Sequence, residues 1–259
     1  MNKIDYIFFI ILNWIAMETM TAQQAKFVYH PAKERGTADY GWLKANYSFS
    51  FSNYYNPQKM GFGALRVLND DYVAGGMGFG THPHDNMEIV TIPIFGALEH
   101  KDSKGNTGVI RKGDVQIMSA GTGIKHSEYN HSKTEQANTL QTWVLPNQRN
   151  VTPRYEQISV DPSEYNNKLR VVVAPNTAGA MHIYQNAVYA LGELDSGKEQ
   201  KYDFKFDGNG VYIFVIEGEI EVLGKNVGER DAIGVWETKS VILKPKSKSR
   251  VLLIEVPMN

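Results

Sequence analysis

The sequence contains no cysteine, which excludes disulfide bonds, thiolate metal sites and cysteine nucleophiles. Any metal must therefore be bound by His, Asp or Glu side chains. The formal net charge is only -1, so the composition offers no electrostatic basis for binding nucleic acid. No apolar run reaches the roughly 20 residues that a membrane-spanning helix needs. We therefore expect neither a nucleic-acid partner nor a membrane.

Strand-like segments separated by Gly, Asn and Asp turns follow one another from residue 25 onward. Residues 47–51 alternate with period two, residues 69–71 (NDD) predict a turn, and residues 87–100 predict a long strand with a bend at Gly96. Hardly any helical period is visible. This pattern indicates an all-β protein built as an antiparallel sandwich or barrel.

The strand pattern occurs twice along the 259 residues, which are enough for two modest domains. Residues 94–99 (IFGALE) match residues 216–221 (IEGEIE), and the polar, proline-containing stretch between the two sets has scattered apolar residues. We predict an N-terminal domain at 25–146, a linker at 147–168 and a C-terminal domain at 169–259.

Residues 1–24 differ from the rest, because Ile4 to Met17 is mostly apolar. Three interpretations stay open: the core of a signal peptide, a start codon assigned too early with Met17 or Met20 as the first residue, or a helical extension. Lys3 is the only positively charged residue before the apolar run, and no clear cleavage site follows the run. We therefore expect a cytoplasmic protein, with export as the alternative.

The functional signal lies between residues 76 and 128, which contain four of the seven histidines. Residues two apart on a strand project from the same face, so His82, His84 and Glu88 share one side, as do His126 and Glu128. Imidazole and carboxylate are the ligands of non-haem iron and related divalent metals, which keep positions open for substrate. The spacing predicts one mononuclear metal site but leaves Glu88 and Glu128 as alternative carboxylates.

Two segments resemble the paired motifs of cupins. The first is Gly76-x5-His82-x-His84-x3-Glu88-x7-Gly96, and the second is Gly113 followed by Gly123-x2-His126-x3-Asn130. More narrowly, residues 79–84 (FGTHPH), 98–103 (LEHKDS) and 119–128 (SAGTGIKHSE) are similar to the pirin family. The resemblance runs from about residue 25 to the end and is densest up to Glu156. It implies a bicupin, with two antiparallel β-barrel (jelly-roll) domains.

The resemblance also implies which residues form the site. The four metal ligands fall on His82, His84, His126 and Glu128, and iron(II) is the usual metal. Glu88 is then expected to orient a ligand histidine rather than to bind the metal. His100 is expected to be a hydrogen-bonded or surface residue near a strand end.

In the repeat, the positions that correspond to the four ligands are occupied, in the same order, by Phe204, Phe206, Leu243 and Pro245. None of these is a metal ligand of the kind that the first half provides. We therefore expect the C-terminal domain to lack a metal site.

Members of the pirin family are associated with quercetin 2,3-dioxygenase activity. The resemblance therefore implies an oxidoreductase whose small-molecule substrate is a flavonol or a similar chelating aromatic, with Glu128 as general base for the 3-hydroxyl proton. The alternative is an iron-dependent redox-sensing regulator that binds a protein partner without turnover. A deep pocket lined by aromatic side chains favours the enzyme, whereas a shallow mouth with a flat charged rim favours the regulator.

Overall fold

The computed structural model describes residues 25–258, so the expectations for residues 1–24 lie outside the described part of the chain. Two short 3-10 helices occur, Ala32–Glu34 and Pro162–Glu164. In this range no helix is both long and apolar enough to cross a membrane. The strands are β1 (Lys26–His30), β2 (Gly36–Asp39), β3 (Leu43–Tyr47), β4 (Leu65–Val73), β5 (Gly78–His84), β6 (Glu88–Phe95), β7 (Ala97–Asp102), β8 (Thr107–Arg111), β9 (Asp114–Ser119), β10 (Ile124–Asn130), β11 (Ala137–Val144), β12 (Arg154–Ser159), β13 (Leu169–Val173), β14 (Val188–Leu194), β15 (Gln200–Asp203), β16 (Asn209–Glu217), β17 (Ile220–Val222), β18 (Lys225–Val227), β19 (Ala232–Trp236), β20 (Ser240–Pro245) and β21 (Ser249–Pro257).

The strands form two domains, each with one large and one small antiparallel sheet. In the first domain the sheet orders are β12-β9-β6-β11-β4-β3-β2 and β5-β10-β7-β8. In the second they are β1-β19-β16-β21-β14-β13 and β15-β20-β17-β18. Apart from β2, which has no counterpart in the second domain, and the edge strands β12 and β1, the same strand order occurs twice. The predicted all-β fold of two jelly-roll domains is confirmed.

Two strands cross the domain boundaries that the sequence predicts. Strand β1 lies at the start of the predicted N-terminal domain but pairs with β19 at the edge of the large sheet of the second domain. Strand β12 lies inside the predicted linker but pairs with β9 and completes the large sheet of the first domain. In each domain, the edge strand of the large sheet therefore comes from outside the predicted limits of that domain: β12 next to β9 in the first, and β1 next to β19 in the second.

Strand pairing also aligns the two domains differently from the sequence repeat. Asn130 of β10 pairs with Leu98 of β7, and Pro245 of β20 pairs with Ile220 of β17. Leu98 and Ile220 each lie two residues after the matched glycine of the repeat. Pro245 therefore corresponds to Asn130 and not to Glu128.

The same two-residue correction applies to the other compared positions. Because β15 pairs with β20 as β5 pairs with β10, the positions corresponding to the four predicted ligands are, in order, Tyr202, Phe204, Val241 and Leu243. These side chains pack in the apolar interior of the second domain. Where the first domain has imidazole and carboxylate groups, the second has apolar and aromatic contacts.

The two large sheets pack face to face and form an interdomain core. Along β16, Tyr212, Phe214 and Ile216 point into this core, whereas Val211 and Ile213 point into the second domain. This alternation follows from the two-residue period of a strand whose two faces are both covered.

The interior of the first domain is more polar than that of the second. It contains two small apolar clusters, around Tyr47 and around Ile89, together with buried polar side chains such as Asn69, Asp71 and Thr91. Burying polar groups costs free energy unless they find partners, so their concentration in one interior marks a functional site.

Candidate metal centre

Strands β5 and β10 bring three of the predicted ligands together. His126 pairs directly with His82, and the ring centroids of His82, His84 and His126 lie 4.4 to 4.9 Å apart. Their ligand nitrogens all lie within 4.8 Å of one another. Pro83 fits between the two histidines because β5 is the outer strand of its sheet, where a missing N–H is tolerated.

The nitrogen atoms of these rings are arranged to receive a metal. His82 Nδ1 lies 2.8 Å from the carbonyl oxygen of Gly80, so the Nδ1–H donates there and the Nε2 lone pair stays free. The Nε2 atoms of His84 and His126 are buried and have no hydrogen-bond partner in the protein. A divalent cation satisfies all three nitrogens at once, so this donor set fits a metal.

The environment also keeps two of the rings in the metal-binding form. Burial, together with the neighbouring imidazoles of His126 and His82, lowers the pKa of His84 to about 4. Burial and the nearby His82 and His100 lower the pKa of His126 to about 3. Both rings are therefore neutral near pH 7, as coordination requires.

Glu128 is buried beside the histidines and is held by hydrogen bonds. Gln141 Nε2 donates to Oε2 at 2.8 Å, and Thr91 Oγ1 donates to Oε1 at a longer 3.5 Å. Trp143 Nε1 in turn donates to Gln141 Oε1 at 3.1 Å and fixes the orientation of that amide. A carboxylate oxygen of Glu128 lies within 4.8 Å of nitrogens of His126 and His100. The structure thus places Glu128 next to the three-histidine cluster.

Glu88 is turned away from the histidines. Its Oε2 accepts hydrogen bonds from Ser119 Oγ at 2.9 Å and from the backbone N–H of Tyr184, in the second domain, at 3.2 Å. The neighbouring Ile89 points into the first domain instead. The expectation that Glu88 orients a ligand histidine is therefore corrected: residues 85–87 turn the chain between β5 and β6, so strand parity does not carry from His84 to Glu88.

His100 is hydrogen bonded, as expected, but it is not a surface residue. Its side chain is fully buried, and Nε2 lies 3.2 Å from Asp102 Oδ2. Its Nδ1 lies 3.4 Å from Nδ1 of His126. It also belongs to a second group of potential ligands, with His126 and Glu128.

The turn predicted at residues 69–71 is wrong, because these residues lie within β4. Asn69 and Asp71 line the same cavity as His82 and His84, and both are buried. Burial, reinforced by the carboxylates of Asp70 and Glu128, raises the pKa of Asp71 well above its usual range. Polar residues in a row are typical of turns, so only the long-range pairing of β4 with β3 and β11 reveals their position.

A cavity of about 410 Å³ opens onto the site, and His82, His84 and Glu128 form part of its wall. Its aromatic lining consists of Trp42, Phe51, Phe79 and Trp143. Trp143 lies edge-on to the His84 ring at 4.9 Å and to the Phe51 ring at 5.3 Å, and Trp42 lies edge-on to Phe79 at 5.4 Å. These four residues come from four separate parts of the chain, so no local sequence pattern marks them as site residues.

Comparisons with known families and proteins cover nearly all of the described chain. The pirin family profile matches residues 28–144, and the profile of the quercetinase C-terminal cupin domain matches residues 171–256. A quercetin 2,3-dioxygenase of Escherichia coli K12 is 40% identical over 227 residues, which are 87% of this chain and 96% of the relative. A pirin-like protein of Caulobacter vibrioides is 35% identical over 87% of this chain and 97% of its own length.

Solved structures give the same result. The crystal structure of the bacterial pirin YhhW of Escherichia coli in complex with nickel(II) superimposes with a TM-score of 0.85 at 37% identity, covering 90% of this chain and 100% of that protein. The two-domain fold, the histidine cluster and the similarity along most of the sequence therefore agree, and the chain belongs to the pirin family.

Proposed function

We propose that this protein is an iron(II)-dependent dioxygenase of the quercetin 2,3-dioxygenase type, acting on flavonols. His82, His84, His126 and Glu128 hold the metal in this proposal. The observation that carries it is the aromatic cavity beside the histidines. Several relatives named as quercetin 2,3-dioxygenases agree with it.

The cavity suits a planar aromatic substrate. Its volume of about 410 Å³ falls within the 300 to 1,000 Å³ that is usual for small-molecule sites. The rings of Trp143 and Phe51 offer faces and edges for stacking against a flat ring system. The cavity wall also contains the polar side chains of Asn69, Asp71 and Gln141, which can orient hydroxyl groups of the substrate.

Glu128 is the proposed base for the flavonol 3-hydroxyl proton. Its carboxylate is part of the cavity wall, and Thr91 holds Oε1 only at 3.5 Å, so this oxygen is the less restrained of the two. Gln141 keeps the other oxygen in place. A divalent metal held by the three histidines and Glu128 would supply Lewis acidity towards the oxygen atoms of the substrate.

The shape of the site favours turnover over the regulatory alternative. A redox-sensing regulator requires a shallow site with a charged rim that a protein partner can contact. The cavity has instead an aromatic lining from Trp42, Phe51, Phe79 and Trp143. These rings match a small aromatic ligand better than a flat protein surface.

The test is an assay of flavonol consumption under oxygen, followed by absorbance and by oxygen uptake. Metal-free protein is reconstituted separately with iron(II), nickel(II) and other divalent metals. We expect turnover only with metal, loss of both metal and turnover in His84→Ala, and loss of turnover in Glu128→Ala. Glu88→Gln is the matched carboxylate control, because Glu88 faces the second domain.

Two results would contradict the proposal. Metal-bound protein that consumes no flavonol would remove the enzymatic function while leaving the metal site intact. Full metal content in His84→Ala would instead show that the ligand set is wrong.

A further inference from the structure

We propose that His100 and Asp102 position His126, through a chain of hydrogen bonds that runs from Asp102 to His100 to His126 and directs His126 Nε2 towards His82 and His84. His100 is in this view a positioning residue and not a ligand. The inference rests on the proposed role of His126 as a metal ligand and explains how its ring is held in the orientation that this role needs.

The geometry of the chain follows from the pairing of β10 with β7. His126 lies directly opposite Asp102, and Glu128 lies directly opposite His100. Nδ1 of His126 and Nδ1 of His100 are 3.4 Å apart, and Nε2 of His100 is 3.2 Å from Asp102 Oδ2. The His100 ring also packs against the Tyr155 ring at 4.7 Å, with an angle of 35° between the planes, so its position is fixed by packing.

The hydrogen atoms in this chain can be assigned from the acceptors. The Asp102 carboxylate only accepts, so His100 Nε2 carries a hydrogen and donates it. In the proposed chain His126 carries its hydrogen on Nδ1 and donates it to Nδ1 of His100, which accepts it. His126 Nε2 is consequently left with its lone pair, which is the atom without a partner in the protein.

Asp102 is itself anchored firmly. Its Oδ1 accepts from the backbone N–H groups of Lys104 at 2.9 Å and Asn106 at 3.0 Å, and the Asn106 side chain donates to Oδ2 at 2.9 Å. Burial acts to raise the pKa of Asp102, but the hydrogen bonds from Asn106, His100 and Lys104 outweigh it and lower the pKa. Asp102 is thus a fixed, ionised acceptor at the end of the hydrogen-bond chain.

This anchoring makes Asp102→Asn a directed test. The side-chain oxygen of Asn must stay on the two backbone N–H groups, so its NH₂ group replaces Oδ2 and faces His100 Nε2. His100 must then carry its hydrogen on Nδ1 and donate it to His126 Nδ1. The hydrogen of His126 moves to Nε2 and occupies the position where the metal binds.

The first readout is the position of the hydrogen on His126, measured by ¹⁵N NMR of the histidine side chains in metal-free protein. We expect Nδ1–H in the wild type and Nε2–H in Asp102→Asn. The second readout is the affinity for nickel(II), measured by competition with a chelator. We expect Asp102→Asn to bind nickel(II) about 10- to 100-fold more weakly, the range usual for groups that orient a ligand histidine.

Variants of His100 separate positioning from packing. His100→Phe keeps a ring against Tyr155 but removes the acceptor, and we expect it to weaken nickel binding to a similar extent. His100→Gln can present its side-chain oxygen to the His126 Nδ1–H, so we expect it to recover part of the affinity. Glu99→Gln is the matched control. It breaks the exposed pair, 2.6 Å long, between Glu99 of β7 and His131, the residue that follows β10, and should leave nickel binding unchanged.

Three outcomes would overturn the inference. The first is an unchanged His126 tautomer in Asp102→Asn, and the second is equal nickel affinity in Asp102→Asn and the wild type. The third is a wild type that binds two nickel ions, one of which is lost in His100→Phe, because His100 would then be a ligand in the group that it forms with His126 and Glu128. The tautomer is measured without metal, so the positioning chain is tested even if the proposed ligand set or the proposed dioxygenase activity fails.

Discussion

Replacing Glu88 with Gln tests whether one buried carboxyl group makes the contact between the domains sensitive to pH. Glu88 is 1% exposed, and burial raises its pKa from 4.5 to about 7 despite hydrogen bonds from Ser119 and Tyr184. Both donors bond the same oxygen, Oε2. The side-chain oxygen of Gln can accept both hydrogen bonds, so the variant removes the charge and keeps the contacts.

The sign of the effect follows from the direction of the shift. The folded protein binds the Glu88 proton more tightly than the unfolded chain does, so this stability is fully present below pH 4.5 and is lost as the pH rises towards about 7. The rise of the Glu88 pKa from 4.5 to about 7 corresponds to about 3 kcal/mol of unfolding free energy. About 2 kcal/mol of this is lost between about pH 5.5 and about pH 8.5.

Urea unfolding of the metal-free wild type and Glu88→Gln at these two pH values measures the effect. Other titrating groups, including the buried Asp71, are present in both proteins and cancel in the double difference. Between these two pH values, we expect the unfolding free energy of Glu88→Gln to fall by about 2 kcal/mol less than that of the wild type. Nickel affinity should not change. Equal pH dependence in the two proteins would refute the assignment, and weaker nickel binding would return Glu88 to the metal site.

Substitutions at three further residues test the site and the core that supports it. Gln141→Leu leaves the Glu128 carboxylate without its 2.8 Å donor and should destabilise metal-free protein by about 1–3 kcal/mol in urea, with a smaller loss when nickel(II) is bound. Trp143→Ala removes the ring beside His84 and should raise KM for a flavonol about tenfold. Trp143→Phe should raise it less. A KM in Trp143→Ala equal to that of the wild type would exclude stacking on Trp143. Phe214→Ala opens a void in the interdomain core and should cost about 3–5 kcal/mol in calorimetry, with both domains still unfolding in one transition; two separate transitions would contradict a shared core.

Features that depend on residues close together in the sequence could be predicted, whereas features that depend on residues far apart in the sequence could not. The pairs at 82/84 and 126/128 are local, because strand parity alone brings two side chains to one face, and the structure brings the three histidines together. The placement of Glu88 failed because a turn resets parity between β5 and β6. Asn69 and Asp71 were misread because their pairing partners are distant in the chain.

The repeat shows the same limit at the level of domains. A six-residue match was enough to predict that the fold occurs twice, since the strand order is the same in both domains. It was not enough to align the strands of the two domains correctly. The pairing of Pro245 with Ile220 shows that the true alignment differs from the predicted one by two residues. Strands β1 and β12 were assigned to the wrong side of a boundary because each completes a sheet with a partner far along the chain, which composition does not reveal.

The first domain has a polar interior and the second an apolar one. This difference explains what the second domain, which lacks the ligand residues, contributes to the protein. The site needs interior polar groups such as the buried Asp71 and Glu128 and the partly buried Gln141, and each of them takes a place that an apolar side chain would otherwise fill. The first domain therefore depends on its other face, where Leu140 of β11 joins Phe214 of β16 in the interdomain core. The second domain, with an apolar interior, provides a stable surface against which this face is buried. The polar interior with its histidine cluster is thus supported from outside by a second copy of the same fold.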